Sequence, residues 1–241
     1  MSEQNIISKY VPNFITLLSL SSGFTSISFS LNGEWEIAIY LILLATIFDF
    51  FDGWFARKLK SGSNFGAELD SLSDFVSFGV APSFLIYLWS TNTLGSLGWG
   101  ATLFFVICSA LRLARFTADI YITNKPIDKN EYFTGVPSPA AAGLILLPLF
   151  IFFEFQVEFL KNDYLNLITT IVIGFMMISK IPTISIKKLK INPKYKTWIF
   201  LIFVLVCVAL ISRIWITLIS VFGAYLISVF YTIIKSRNIK N

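Results

Sequence analysis

Four stretches of this chain contain no Asp, Glu, Lys or Arg: those enclosed by Lys9 and Glu34, by Asp74 and Arg112, by Glu131 and Glu154, and by Arg213 and Lys235. Each holds at least 21 residues, and about 20 apolar residues in a helix cross the roughly 30 Å hydrocarbon core of a bilayer. The runs are continuous rather than alternating, so helices and not barrel strands are the expected spanning form. Only 14% of the 241 residues are charged, against about 25% in an ordinary soluble domain. The expected fold class is an all-α, polytopic membrane bundle.

Eight spans are expected, roughly 11–31, 35–59, 67–90, 97–118, 137–157, 163–180, 196–212 and 214–234, within a single domain covering 1–241. With both termini cytoplasmic, seventeen of the nineteen basic residues fall on the inner side, and only Lys161 and Arg213 fall outside. This segregation follows the positive-inside rule and requires an even number of spans. Ser212 and Arg213 barely separate the last two, so one long kinked helix is the alternative there. Residues 2–10 suit either a short interfacial helix or a frayed terminus. The first apolar run lacks a basic leader and a small-x-small cleavage site, so it is expected to be a retained helix. With no other targeting signal, the expected location is a prokaryotic plasma membrane.

The net charge of +5 argues for topology rather than nucleic acid, because the basic residues sit at the ends of apolar runs. The run KKLKINPKYK at 187–196 reads as a topogenic loop, with attraction for anionic lipid as the alternative. Cys108 and Cys207 lie in apolar runs and read as small buried hydrophobes.

The stretch DFFDGWFARKLKSGSNFGAELDSLSD, residues 49–74, holds five of the fourteen acidic residues: Asp49, Asp52, Glu68, Asp70 and Asp74. Asp49 and Asp52 are three apart and Asp70 and Asp74 four apart, spacings that put each pair on one helix face. Between them Ser61, Gly62, Ser63 and Asn64 signal a chain reversal, so four carboxylates converge at one membrane edge. Unpaired charges there would repel one another and lose hydration, and hard divalent cations are the natural compensation. Two such cations could clamp a pyrophosphate. Gly53 and Gly66 offer bare helix surface for close approach, Ala56 continues it, and Arg57 can neutralise a phosphate. The bland alternative, helix-end charges and packing glycines, fits any one of these residues better than it fits all of them together.

The pattern D-x2-D-G-x2-A-R-x8-G-x3-D-x3-D is met without a gap by Asp49, Asp52, Gly53, Ala56, Arg57, Gly66, Asp70 and Asp74, and it resembles the CDP-alcohol phosphotransferase family. That resemblance implies displacement of CMP from a CDP-activated lipid or alcohol by a hydroxyl, with Mg²⁺ or Mn²⁺ and two metal ions in the site. It implies a metal shell of Asp49, Asp52, Asp70 and Asp74, a CDP cradle of Asp52, Gly53, Ala56, Arg57 and Gly66, and Asp74 as general base. It also implies a homodimer. Asn13 and Thr16, near the inner end of the first span, either bond substrate phosphate or ribose or cap a helix.

PNFIT (12–16), LDSLSDFVSFGVAP (69–82), RLARF (112–116) and FTGVPSPAAAG (133–143) are similar to the membrane-bound phosphatidylserine synthases of that family. The similarity implies CDP-diacylglycerol and L-serine as substrates, at the cytoplasmic face. RLARF continues with Thr117 where Asn is expected. Arg112 and Arg115, three apart, could present two guanidinium groups to an acceptor anion or merely mark topology; Thr134, Gly135 and Ser138 are further acceptor-side candidates. The absence of histidine excludes a histidine nucleophile, Ser-His-Asp hydrolysis and histidine-liganded zinc. Two alternatives stay open: a relative of the same family using glycerol 3-phosphate or an inositol phosphate, and a membrane cation transporter. Against transport, the acidic residues gather at one edge with no relay across the other spans.

Overall fold

The computed structural model describes residues 3–59, 61, 63–122, 133–179, 182–183 and 196–240. Ten α-helices account for nearly all of them: α1 (Glu3–Leu31), α2 (Trp35–Lys58), α3 (Asn64–Asp74), α4 (Ala81–Trp89), α5 (Ser96–Ile122), α6 (Ser138–Ile145), α7 (Leu147–Phe155), α8 (Asp163–Ile178), α9 (Lys196–Ser212) and α10 (Ile214–Lys240). Phe133–Thr134 and Pro182–Thr183 form a two-residue antiparallel pair, too small to alter the all-α class. The basic segment 187–196, apart from Lys196 at the start of α9, and the loop holding Lys125 and Lys129 lie outside the described residues. Residues 3–10 of the segment read as either an interfacial helix or a frayed terminus are the first part of α1, because no Gly or Pro before Pro12 interrupts the ladder.

Among the described residues five helical segments are long and apolar enough to cross a membrane: Tyr10–Leu31, Trp35–Lys58, Asn64–Trp89, Ser96–Ala118 and Ile214–Ile233. The α6–α7 pair, bent by 42°, makes a sixth if counted as one span. The chain is therefore an integral membrane protein, but the expected count of eight is not reached by helix length. The 16 residues of α8 rise only about 24 Å at 1.5 Å per residue, short of the roughly 30 Å core, and α9 has 17 residues. Arg213 separates α9 from α10: its N–H bonds Ala209 C=O at 2.8 Å and closes one helix, and its C=O accepts from Thr217 N–H at 3.1 Å and opens the next.

Two prolines explain the irregular helices. Pro148 at the start of α7 has no N–H to continue the ladder from α6, and the chain bends there. Pro82 likewise follows a π-helical segment, Phe75–Val80, in which Ala81 N–H reaches back to Val76 C=O. The wide turn rotates everything after Asp74 relative to α3.

Small and hydroxylated residues let α1 approach its neighbours closely, the usual means of helix association in lipid. Ser19 Oγ donates to Ala45 C=O of α2 at 2.9 Å, Ser77 Oγ to Ser19 C=O at 3.2 Å, and Ser73 Oγ to Thr16 C=O at 3.2 Å. A Cβ added to Gly23 would stand 2.6 Å from Ser77 Cα, so only glycine permits that crossing. Toward the C-terminus, aromatic packing takes over: Trp215 of α10 stacks on Tyr40 of α2 and on Phe150 and Phe153 of α7, with centroids 5.0–6.1 Å apart. The interior is closed by Phe78, Phe105, Leu85, Leu144 and Leu149. Leu17, Phe24, Leu44, Ile107, Leu111 and Phe175 face outward, as a lipid-facing exterior requires.

Candidate active site at the acidic end of the bundle

The reversal between α2 and α3 is built by its own side chains. Ser61 N–H bonds Ala56 C=O at 3.1 Å. Ser63, in extended conformation, caps α3 by accepting from Gly66 N–H at 3.0 Å. Gly62 of the turn signal, and Lys60 before it, lie outside the described residues. Lys58 is drawn away from the acidic residues onto the Trp54 ring, 4.4 Å from its centroid.

Folding α3 back along α2 brings Asp49, Asp70 and Asp74 together, each offering a carboxylate oxygen within 4.8 Å of the others. Asp52 lies one turn beyond Asp49 and outside that trio. It is only 4% exposed, beside Thr16 of α1, and its Oδ2 has no hydrogen-bond partner. The Thr16 hydroxyl itself donates to Pro12 C=O at 3.0 Å. Among the described residues no Lys or Arg forms an ion pair with any of the four carboxylates; the one salt bridge joins Arg213 and Glu154 at the opposite end. Two unit charges 4.8 Å apart repel by roughly 3 kcal/mol at an effective dielectric constant of about 20. Three hard carboxylates so close, with a fourth holding an orphaned buried oxygen, are a donor set that fits a divalent cation.

The glycines of this hairpin are held close to polar side chains. A Cβ at Gly66 would lie 3.1 Å from Asn13 Oδ1 and 3.3 Å from Ser63 Oγ, and one at Gly53 would lie 3.3 Å from Arg57 Nη1. Asn13 and Gly66 thus meet where α1 passes α3. Arg57 is exposed along the α2 face that carries Gly53, with Ala56 half-buried beside it, while Glu68 points outward.

The acceptor-side candidates are sorted by the fold. Arg112 turns inward, and its Nη1 donates to Ser138 Oγ at 2.8 Å, Ser138 being fully buried at the start of α6. Arg115 is exposed on the outside of α5, so the two guanidinium groups do not share one pocket. Gly135 adopts φ +86°, a left-handed turn that glycine adopts without steric cost, and a Cβ there would collide with Met177 C=O. The Thr134 side chain is outside the described residues. Thr117, the departure from the expected Asn, is buried with its Oγ1 3.0 Å from Ser71 Oγ, tying α5 to α3 between Asp70 and Asp74. Tyr225 of α10, which no sequence pattern singles out, interacts electrostatically with Arg112; its only signal is a hydroxyl in an apolar run.

Residues 9–173 match the family model for CDP-alcohol phosphatidyltransferase. A CDP-diacylglycerol–serine O-phosphatidyltransferase of Mycobacterium leprae is 36% identical over 185 residues, covering 77% of this chain and 61% of that protein. The Helicobacter pylori protein of the same name is 34% identical over 217 residues, covering 90% and 87% respectively. The one from Methanocaldococcus jannaschii is 35% identical over 204 residues, covering 84% of each. The chain thus spans 61% of the length of the mycobacterial relative and most of the other two. With the family model covering both acidic helices and Arg112, and with the carboxylates gathered as that pattern requires, the chain belongs to the CDP-alcohol phosphatidyltransferase family.

Proposed function

We propose that this protein is a phosphatidylserine synthase, transferring the phosphatidyl group of CDP-diacylglycerol to the hydroxyl of L-serine and releasing CMP. The observation that carries the reading is the convergence of Asp49, Asp70 and Asp74 within 4.8 Å, close to an inward-facing Arg112. Bacterial and archaeal relatives bearing that activity's name support it.

The serine hydroxyl oxygen bonds to the phosphatidyl phosphorus, the bond from that phosphorus to the CMP oxygen breaks, and CMP leaves with the electron pair. Asp74 takes the hydroxyl proton, acting as general base. Asp49, Asp52, Asp70 and Asp74 would hold Mg²⁺ or Mn²⁺, two ions in all, which neutralise pyrophosphate charge when bound. Asp52, Gly53, Ala56, Arg57 and Gly66 form the CDP cradle, with Asn13 and Thr16 at its α1 side. Arg112 and Ser138 lie on the acceptor side with Gly135 and Thr134, and Arg115 stands at its edge. A site at one membrane edge lets the acyl chains stay in lipid while cytidine and serine stay in water. The basic-residue distribution supports the cytoplasmic face of a prokaryotic plasma membrane, and the working unit is a homodimer, testable by cross-linking in membranes.

The test is CMP release from CDP-diacylglycerol in mixed micelles with Mg²⁺ or Mn²⁺, comparing L-serine, glycerol 3-phosphate, inositol and inositol phosphate. Release with serine alone is expected. Release only with a phosphorylated acceptor would move the protein to another branch of the family; metal-dependent ion uptake without CMP release would replace transfer by transport.

A further inference from the structure

Two buried polar atoms on the acceptor side have no hydrogen-bond partner among the described residues: Nε of Arg112 and the hydroxyl of Tyr225. They sit on α5 and α10, and Tyr225 lies well beyond residue 173, where the family match ends. Arg112 interacts electrostatically with both Asp74 and Tyr225, so the three groups share one neighbourhood. The bond from Arg112 Nη1 to Ser138 fixes the guanidinium and leaves its Nε–H unspent. The backbone of α10 is satisfied at this point, the Tyr225 carbonyl also accepting from Ser228 Oγ at 2.7 Å.

Leaving a buried donor unpaired is destabilising, and native proteins contain few such groups. Two at one place beside a carboxylate cluster are accounted for by a ligand that accepts from both. We infer that Tyr225 and Arg112 together bind the carboxylate of the amino-acid acceptor, making Tyr225 a specificity-determining residue supplied by the C-terminal helix. A carboxylate offers two acceptor oxygens and one negative charge, matching one guanidinium plus one neutral hydroxyl. A phosphate dianion would need a second cation, and Arg115, the nearest in sequence, is turned outward. Asp74, which also interacts electrostatically with Arg112, is left to meet the acceptor's hydroxyl. This inference rests on the proposed transfer to serine.

The experiment compares wild type with Tyr225→Phe, which removes only the hydroxyl. CMP release is followed at saturating CDP-diacylglycerol with L-serine varied, and L-serine-dependent thermal stabilisation is measured on the same preparations. The expected result is a rise of roughly tenfold or more in KM for L-serine, a much smaller change in kcat and an unchanged KM for CDP-diacylglycerol. An unchanged KM for serine overturns the inference, as does a fall in kcat accompanied by increases in both KM values, which would mark a merely structural role. A second measurement needs only wild type: serinol, which keeps the amine and the hydroxymethyl group but carries a second hydroxymethyl in place of the carboxylate, should compete with L-serine at least about tenfold more weakly, and equal competition overturns the inference. If wild type turns over a different acceptor, the serine reading fails by itself. The inference then survives only if that acceptor bears a carboxylate and its KM responds to Tyr225→Phe. If no acceptor is used, L-serine-dependent stabilisation lost in the variant supports the carboxylate site, and its absence from wild type overturns it.

Discussion

The helices around α1 and those around α10 solve the same packing problem in opposite ways. Near α1, backbones touch: Gly23 faces Ser77 Cα directly, and hydroxyls of Ser19, Ser73 and Ser77 donate to carbonyls of neighbouring helices. Near α10, rings fill the space: Trp215 stacks with Tyr40, Phe150 and Phe153, and Gly143 faces the Phe222 ring. Directed hydrogen bonds and hard backbone contacts fix helix register, whereas rings can slide and rotate. The register-fixed region is the one that carries the four aspartates, three of which offer oxygens within 4.8 Å of one another. The ring-packed region supports that site and contributes to it, by the inference above, only through Tyr225.

The largest expected effect belongs to the fixed region. Asp74→Asn should lower turnover by roughly 10²–10⁴-fold while CDP-lipid binding persists, because the base is lost and most of the acidic shell remains; wild-type turnover in this variant would remove Asp74 from the mechanism. Asp70→Asn should weaken metal-dependent CDP-lipid binding by on the order of tenfold or more, read as a displaced midpoint in a metal titration, and an unmoved midpoint would count against its place in the shell. Among packing variants, Gly23→Ala should cost about 1–3 kcal/mol, seen as a lower apparent Tm in detergent, since the new methyl meets backbone at Ser77.

Gly143→Ala meets only the far end of the Phe222 side chain, which can swing aside, so its cost should be smaller and Phe222→Leu should relieve it. Equal costs at Gly23 and Gly143 would break the contrast between the two regions. The smallest effect is expected for Arg213→Ala: its 3.4 Å contact with Glu154 comes from a side chain that is 72% exposed, and such pairs contribute about 0–1 kcal/mol. A large drop in Tm there would mean that the outer end of α10 is held by this pair and not by the Trp215 stack.

Several features were legible before any coordinates. Runs without charge locate the helices because burying an unpaired charge in hydrocarbon is so costly that its absence is informative. The spacing of Asp49, Asp52, Asp70 and Asp74 reads directly because helix periodicity turns sequence distance into a shared face. Arg112 and Arg115 show where that logic stops: three residues apart is about 60° short of a full turn, and near the margin of a buried face this difference sends one guanidinium inward to Ser138 and the other outward. The 42° bend at α6–α7 follows from Pro148, yet its angle depends on what α6 and α7 pack against. The start of α8 at Asp163 agrees with the expected span of 163–180, and the described helix ends at Ile178, two residues before the expected end.

The sequence by itself determined the membrane class, the family pattern and the pairing of aspartates on two helices, because each depends on local composition or on helical spacing. Tertiary structure alone decided that Asp49 joins Asp70 and Asp74 while Asp52 withdraws toward Thr16, that Thr117 ties to Ser71, and that Tyr225 comes into the neighbourhood of Arg112. These are juxtapositions of residues far apart in the chain, set by where π turns, prolines and glycine crossings aim the helices, and no periodicity within one helix encodes the distance to another.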